Sequence, residues 1–261
     1  MPRTRLEFLG DGEVAKVVLA APKANILDRA MMGEIRCILA ELSSRHDLKA
    51  VVVGADGPSF SYGASVTEHL PEQIHETLRD LRELLLLLAR VPAPTIATVR
   101  GQCLGGGFEL ALGCDLIIAE EDAQFGCPEI KLAVFPPAAS ALLPVKLGTA
   151  RAAALVLTGN TWSGTAAAQC GLVSRLAPAG ELDTALASWL RSDFLPRPPA
   201  ALRHAANAIR LATLRALESD LPVLESMYLR DLMAEPDAVE GIRAFLEKRQ
   251  PQWAEPSTAS R

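Results

Sequence analysis

The sequence has no apolar run approaching the roughly 18 residues that a membrane-spanning helix needs, and its first residues lack the apolar stretch of a secretory signal. It also lacks an excess of positive charge, because 26 Lys and Arg stand against 31 Asp and Glu. A general nucleic-acid binder needs surplus cations to displace counterions from phosphates. These absences predict a protein that binds neither membranes nor nucleic acid.

Cysteine is scarce and shows no pairing pattern. The 5 cysteines are widely spaced, mostly among apolar residues, at Cys37, Cys103, Cys114, Cys127 and Cys170. An odd, scattered set does not form a disulfide framework, and no Cys/His spacing is typical of zinc. We therefore expect reduced thiols, a cytoplasmic location and no metal.

The remaining composition favours a folded α/β protein, since 49% of the 261 residues are apolar and 22% are charged. Runs rich in β-branched residues predict buried strands at 14–19, 50–53, 95–99 and 116–119. Helical patterns alternate with them, one over 27–42 with Asp28 as N-cap and one over 74–88 that must end near Pro92. This alternation predicts the α/β class.

The pattern changes after Ala150, where alanine-rich helical segments dominate. The proline-rich stretch Phe194–Pro199 is typical of a boundary, and two or three helical patterns follow it. We therefore predict a core over residues 1–195 and a C-terminal helical region over residues 196–261.

The most informative stretch is the glycine run Gly105–Gly107, which follows the predicted strand 95–99 and opens a helical pattern. Bare N–H groups at a helix start suit an anion or a developing oxyanion. A phosphate loop would continue Gly-Lys-Ser/Thr, but Phe108 and Glu109 stand there, and the G-x-G-x-x-G spacing is absent. The alternative that the glycines only permit close strand–helix packing stays open at this point.

Two acidic residues, Glu109 and Glu129, stand in otherwise apolar surroundings. We place Glu109 on the first turn of the predicted helix and Glu129 after the strand at 116–119. Burial and mutual repulsion would raise both pKa values toward the range useful for acid–base chemistry. Addition of water to a double bond conjugated with a carbonyl needs such groups and a stabilised enolate oxygen. Taken singly, each residue could also be a helix-cap or an exposed loop glutamate.

Five segments, in order, resemble the crotonase (enoyl-CoA hydratase/isomerase) superfamily: Pro22–Asp28, Phe60–Ser65, Gly101–Glu109, Phe125–Glu129 and Gly241–Lys248. The resemblance implies a core of repeated ββα units with a C-terminal helical trimerisation region. It also implies an acyl-CoA hydratase, a hydro-lyase acting on an acyl-CoA thioester. Coenzyme A would be part of the substrate, with no further cofactor. The implied partner is a second copy of the chain, in a trimer or a dimer of trimers.

The resemblance also implies residue roles. Ala64 and Gly106 would donate backbone N–H groups to the thioester oxygen, Glu109 would deprotonate water, and Glu129 would exchange the proton at the α-carbon. The implied substrate-binding residues are Lys23, Ala24, Ser65, Val66, Thr67, Phe135, Pro137, Phe245 and Lys248. Of these, Phe245 and Lys248 would reach the CoA of a neighbouring subunit.

Two departures from the family pattern bear on the acyl group. Ser65 stands where many hydratases have Asp, and Val134–Ser140 replaces a glycine-rich turn with a proline-containing, apolar segment. Because proline fixes φ, the segment predicts a stiff pocket wall shaped for a bulkier or ring-shaped acyl group. Both segments are most similar to the cyclohexa-1,5-diene-1-carbonyl-CoA hydratases of anaerobic aromatic degradation. That resemblance implies 1,4-addition of water to give 6-hydroxycyclohex-1-ene-1-carbonyl-CoA.

Alternative functions remain on the same scaffold: hydration of simple trans-2-enoyl-CoA, isomerisation, or a non-catalytic role in binding CoA or RNA. Isomerases of this type usually manage with one carboxylate, so the presence of two favours water chemistry. The negative net charge argues against RNA. Among other residues, His69 follows the first implied oxyanion loop and could contact substrate or CoA, whereas Cys103 and Cys127 are expected to pack.

Overall fold

A computed structural model of the chain describes residues 2–21 and 23–254; Met1, Pro22 and residues 255–261 are outside this description. Its strands are β1 (Thr4–Leu9), β2 (Val14–Leu19), β3 (Ala50–Ala55), β4 (Thr95–Val99), β5 (Gln102–Leu104), β6 (Leu116–Glu120), β7 (Gln124–Gly126), β8 (Thr161–Ser163) and β9 (Arg175–Ala177). They form a six-stranded sheet of order β1-β2-β3-β4-β6-β9 and a three-stranded sheet of order β5-β7-β8. Within the large sheet only the β1–β2 pair is antiparallel.

Helices connect and cover the sheets. They are α1 (Arg29–Leu42), α2 (Ile74–Arg90), α3 (Gly105–Gly113), α4 (Pro137–Leu147), α5 (Thr149–Thr158), α6 (Gly164–Gln169), α7 (Leu182–Trp189), α8 (Pro199–Ile209), α9 (Leu211–Arg215), α10 (Leu221–Ser226) and α11 (Pro236–Leu246). Short 3₁₀ turns lie at Val66–His69, Pro128–Leu132 and Leu232–Ala234, and π-helical turns at Leu190–Phe194, Ala216–Asp220 and Met227–Asp231.

Helix ends follow local chemistry. The Asp28 carboxylate accepts a hydrogen bond from the Met31 amide at 2.9 Å, which satisfies one of the free N–H groups of the first turn of α1. Helix α2 ends at Arg90, before the prolines at 92 and 94. The predicted N-cap and the predicted helix end are both confirmed.

The inner strands β3 and β4 of the large sheet are buried on both faces, as their continuous apolar runs predict. Along β3, Val51 and Val53 join the main core, whereas Val52 faces a second cluster with Leu182 and Leu186 of α7. Parallel register places Val53 between Val17 of β2 and Ala97 of β4. Since β4 and β6 are parallel neighbours, the segments that follow them meet at one edge of the sheet.

The C-terminal helices are fixed to the core by a buried ion pair. Arg210 is only 2% exposed, and its guanidinium donates to the Asp115 carboxylate and to the carbonyls of Val91 and Ala93. Removing one partner of such a pair would leave the other charge buried and unpaired.

The α/β prediction is confirmed, and so are the predicted strands that became β2, β3, β4 and β6. The sequence reading omitted β1 and the three-residue strands, and it did not foresee the π-helical turns that break the C-terminal helices. One placement was wrong: α3 begins at Gly105 and includes the glycine run, so Glu109 lies in its second turn. The boundary between residues 195 and 196 stays a prediction.

No helix within residues 2–21 and 23–254 is both long enough and apolar enough to cross a membrane.

Candidate active site

Two loops are joined by main-chain hydrogen bonds at the edge of the sheet. The amide of Ser61 donates to the carbonyl of Gln102 at 2.9 Å, and the amide of Leu104 donates back to the carbonyl of Ser61 at 3.0 Å. Gly107 packs so closely on Ser61 that an added Cβ would lie 2.4 Å from the Ser61 Cβ. The loop before α3 and the loop carrying Ala64 are therefore held in fixed register.

This register brings the amides of Ala64 and Gly106 together. A Cβ added to Gly106 would lie 3.1 Å from the Ala64 amide nitrogen and 2.9 Å from the Ala64 Cβ. No side chain caps the start of α3, and within the described ranges the Ala64 N–H has no hydrogen-bond acceptor. Two unsatisfied amides at one place, one of them in the first turn of a helix, can donate to a single oxygen.

Glu109 is buried, only 4% exposed, and is held by the start of a second helix. The amide of Ala139, in the first turn of α4, donates to Glu109 Oε1 at 2.9 Å. Burial raises the pKa of Glu109 above its usual value, while the amides of Ala139 and Ala138 oppose that shift by stabilising the ionised form. The proline-containing segment thus supplies both a pocket wall and a hydrogen bond to the carboxylate.

Glu129 stands in the 3₁₀ turn Pro128–Leu132, across the site from Glu109. Its Oε2 is buried and has no hydrogen-bond partner within the described residues. A Cβ added to Gly105 would lie 2.6 Å from Glu129 Oε1, so the glycine run also makes room for this carboxyl. Burial, and then the charge of Glu109, raises the pKa of Glu129.

A small inner cavity of about 20 Å³ joins the predicted residues. Both glutamates and Ala64 line it, beside apolar side chains that include Phe135 and Pro137. An outer cavity of about 70 Å³ is lined by Tyr62, Ala64, Val66, Gly105 and Glu129, together with Ile242 of α11. The two acids and one of the two amide-bearing residues therefore converge on one space, as the sequence predicts.

The other predicted binding residues have varied positions. The carbonyl of Ala24 accepts from the Tyr62 amide at 3.0 Å, so Ala24 lies beside the Ala64 loop. Lys23, Ser65, Thr67, Phe245 and Lys248 line neither cavity of this single chain. Their roles toward CoA stay predictions, and Pro22 of the same segment lies outside the described residues.

Sequence reasoning missed two contributions to the site. The first is the backbone amide of Ala139, which the identities of the side chains in the sequence do not indicate. Tyr228, 1% exposed in the C-terminal region, packs edge-on against Phe135 with 5.4 Å between ring centroids. Burial, and then the charges of Glu129 and Glu109, raises the pKa of the Tyr228 phenol. Only tertiary structure brings these groups together.

The cysteines beside the site are buried, as the sequence predicts. Burial raises the pKa of the Cys103 and Cys127 thiols well above the usual value, so both stay protonated and poorly nucleophilic. Within the part of the chain that the structure describes, no cluster of three or more His, Cys, Asp or Glu side chains is arranged to hold a metal ion.

Comparison with known proteins gives a consistent result. Residues 10–256 match the family described as enoyl-CoA hydratase/isomerase. The chain is 42% identical to cyclohexa-1,5-dienecarbonyl-CoA hydratase of Thauera aromatica, covering 93% of each chain. It is 33% identical to 2,3-dehydroadipyl-CoA hydratase of Escherichia coli, covering 92% of this chain and 94% of the relative.

A solved structure agrees with the fold. The enoyl-CoA hydratase of Mycobacterium avium subsp. paratuberculosis superposes with a TM-score of 0.84 at 27% identity, covering 97% of this chain and 99% of the other. The amide pair, the two acids and these similarities lead to one assignment: the chain belongs to the enoyl-CoA hydratase/isomerase family.

Proposed function

We propose that the protein adds water to a conjugated dienoyl-CoA thioester, converting cyclohexa-1,5-diene-1-carbonyl-CoA to 6-hydroxycyclohex-1-ene-1-carbonyl-CoA. The observation that carries the proposal is the convergence of Glu109 and Glu129 on a cavity bordered by the Ala64 loop. The 42% identity to a hydratase of that name supports the cyclic substrate.

The thioester oxygen is assigned to the amides of Ala64 and Gly106. Attack on the double bond moves negative charge onto this oxygen, and the two N–H groups stabilise the resulting enolate. A single such donor typically contributes about 3 kcal/mol to the transition state. Each step is assigned to a group of this chain, and the only coenzyme involved is the CoA of the substrate.

The two acids have different tasks. Glu109, with its ionised form held by the Ala139 amide, takes a proton from water, and the hydroxide oxygen bonds to the β-carbon of the thioester. Glu129, whose pKa is raised by burial and by Glu109, supplies the proton that completes the addition. Return of the proton from Glu109 to Glu129 then restores the starting state.

A cyclic diene fixes where that proton goes. Attack at C2 of the ring gives a dienolate whose charge extends over C1 and C5. Protonation at C5 leaves the double bond between C1 and C6, which yields the 6-hydroxycyclohex-1-ene product after renumbering. A linear trans-2-enoyl thioester would instead be protonated at its α-carbon. The apolar wall of Phe135, Pro136 and Pro137 lines the inner cavity beside both acids, and the fixed φ of its prolines supports a stiff pocket suited to a ring.

The test is turnover of the purified protein, after treatment with a chelator, on the cyclic dienoyl-CoA and on crotonyl-CoA, with the addition of water followed by chromatography and mass spectrometry. We expect hydration of both, with kcat/KM at least about tenfold higher for the ring. Preference for crotonyl-CoA would favour the simple enoyl-CoA hydratase, and double-bond migration without added water would favour an isomerase. Binding without any turnover would favour a non-catalytic relative.

We further propose that the chain acts as a homo-oligomer, a trimer or a dimer of trimers. Large apolar side chains are exposed on the C-terminal helices, including Ile209 at 66%, Val223 at 64% and Phe245 at 55%. Exposed apolar groups in such number support an interface. Analytical ultracentrifugation tests this, and a monomer at micromolar concentration would contradict it. The five unpaired cysteines support a cytoplasmic location.

A further inference from the structure

Glu129 is carried by a short turn that is closed by its own hydrogen bonds. The amide of Ala133 donates to the carbonyls of Glu129 and Ile130, and the amide of Val134 donates to the carbonyl of Glu129 at 3.3 Å. Ala133 ends the turn in the left-handed region, with a φ of 57°. A turn bonded in this way moves as one piece. The position of the Glu129 carboxyl therefore depends on the elements that pack against the turn.

Glycines from three separate elements lie against this turn. A Cβ added to Gly105 would lie 2.6 Å from Glu129 Oε1, and a Cβ added to Gly159, after α5, would lie 2.8 Å from a side-chain carbon of the turn. A Cβ added to Gly241 of α11 would lie 2.2 Å from the carbonyl oxygen of Leu132 and 2.6 Å from its carbonyl carbon. The contact of Gly241 is the one with the backbone of the turn, which cannot rotate aside as a side chain can.

Gly241 lies in the interior of α11, where glycine is unfavourable for the helix itself. Glycine destabilises a helix interior relative to alanine, so its presence here indicates a need for close approach. Ala238 and Ile242 lie on the same face of α11 and are buried in one cluster with Val134. Ile242 also lines the outer cavity with Glu129. The face of α11 that contacts the turn thus continues directly into the site.

Resting on the hydration proposed above, we infer that Gly241 is a positioning residue for Glu129. The close contact between α11 and the Leu132 carbonyl sets the place of the turn, and with it the distance of the carboxyl from the substrate carbon. Gly241 itself takes no part in the proton transfer. Glu109 has a separate support, the amide of Ala139. The C-terminal region, which the family resemblance links to oligomerisation, thereby also supports the acid of its own chain.

The first test is Gly241→Ala, which adds one methyl group that fits only if α11 and the turn move apart. We expect kcat on the cyclic thioester to fall about tenfold or more and KM to change less than about threefold, because a displacement of about 1 Å can cost about 10²-fold. Gly33→Ala is the matched control, since Gly33 also lies inside a helix but an added Cβ would meet no atom of the described residues within 4 Å. It should keep the wild-type kcat.

A double variant separates positioning from general damage. If Gly241 acts through Glu129, then Gly241→Ala should add less than about twofold to the loss already present in Glu129→Gln. Damage elsewhere in the site would instead multiply the two losses. Thermal unfolding and binding of butyryl-CoA, which cannot be hydrated, report whether each variant is folded and keeps its binding site.

Ile242→Ala is the second variant, used if Gly241→Ala does not fold. It weakens the packing of the same face of α11 without adding an atom. A loss of kcat in Ile242→Ala should likewise not add to the loss in Glu129→Gln.

A wild-type kcat in folded Gly241→Ala would overturn the inference and leave the hydratase proposal standing. Losses that multiply with that of Glu129→Gln would have the same consequence. If the wild-type protein hydrates neither the cyclic dienoyl-CoA nor crotonyl-CoA, the proposed function fails and the inference fails with it.

Discussion

Glu109 and Glu129 are the same residue type in the same cavity, yet their surroundings differ. Glu109 lies within a helix, and the first turn of a second helix donates an amide to it at 2.9 Å. Glu129 lies in a short 3₁₀ turn and has a buried oxygen without a partner in the described chain. A hydrogen bond from an amide favours the ionised form, whereas burial without one favours the neutral form. In the proposed hydration, this difference assigns the base to Glu109 and the proton carrier to Glu129.

Removing each carboxylate tests that division most directly. Glu109→Gln and Glu129→Gln should each lower kcat about 10³-fold or more, because a positioned acid or base commonly contributes 10²–10⁴-fold. Steady-state hydration of the cyclic thioester measures this, and circular dichroism should show an unchanged fold. Near-wild-type hydration by either variant would remove that residue from the mechanism.

The division can be sharpened by following, in deuterated water, exchange of the hydrogens on the product carbon that the proposed mechanism protonates, which is C5 of the substrate ring and C3 of the product. If Glu129 alone carries the carbon-bound proton, Glu109→Gln should retain slow exchange while Glu129→Gln loses it. Equal loss in both variants would mean that the acids act as one unit.

Closing the amide site should have the next largest effect. In Gly106→Ala the new Cβ would crowd Ala64, at 2.9 Å from its Cβ. We expect kcat to fall about 10²-fold, the loss typical of one oxyanion donor. Gly33→Ala in α1, where an added Cβ would meet no atom of the described residues within 4 Å, is the matched control. Unchanged turnover in Gly106→Ala would place the thioester oxygen elsewhere.

The ionisation difference also predicts a pH-dependent stability. Because the pKa of Glu129 is raised in the folded state, the native protein binds more protons than the unfolded chain, and stability falls as pH rises above the unfolded value of about 4.3. The Glu129→Gln variant has no carboxyl at this position to ionise, so its folding stability should not show this fall with rising pH. Its Tm should exceed that of wild type by about 2 °C or more at pH 8 and by less at pH 5. The exposed Glu41→Gln should show no such trend.

The smallest effect on catalysis is expected from a substitution in the cavity wall that contains Phe135. Phe135 packs against Tyr228 and lines the inner cavity, so Phe135→Leu should loosen the pocket while leaving both acids in place. We expect the preference for cyclic over linear thioester, measured as the ratio of kcat/KM values, to fall about tenfold. A constant ratio would mean that another surface selects the ring.

Much of this molecule follows from local patterns. The Asp28 cap, the ends of α2 and the buried parallel strands follow from local residue chemistry and spacing. Strand β1 was missed because it lies at the sheet edge, where Arg5 and Glu7 break the apolar pattern. Three-residue strands such as β5 are too short to show any periodicity.

The sequence pointed to candidate side chains and glycines that stand in a familiar order, and the structure brings Glu109 and Glu129 to one cavity and packs Gly106 against Ala64. The Ala139 amide could not be foreseen, because any residue but proline has the same N–H. Tyr228 could not be placed either, since it reaches Phe135 only through the packing of the C-terminal region.

The main-chain bonds between Ser61 and the segment Gln102–Leu104 have a practical consequence for anyone redesigning acyl scope. We call the space between the amides of Ala64 and Gly106, proposed to hold the thioester oxygen, the thioester slot. Widening it would require moving both backbone segments at once, so variant libraries at these positions should yield inactive enzymes. Diversity introduced at Val134 and Phe135 leaves the slot untouched, and directed evolution should find its new specificities in that short stretch.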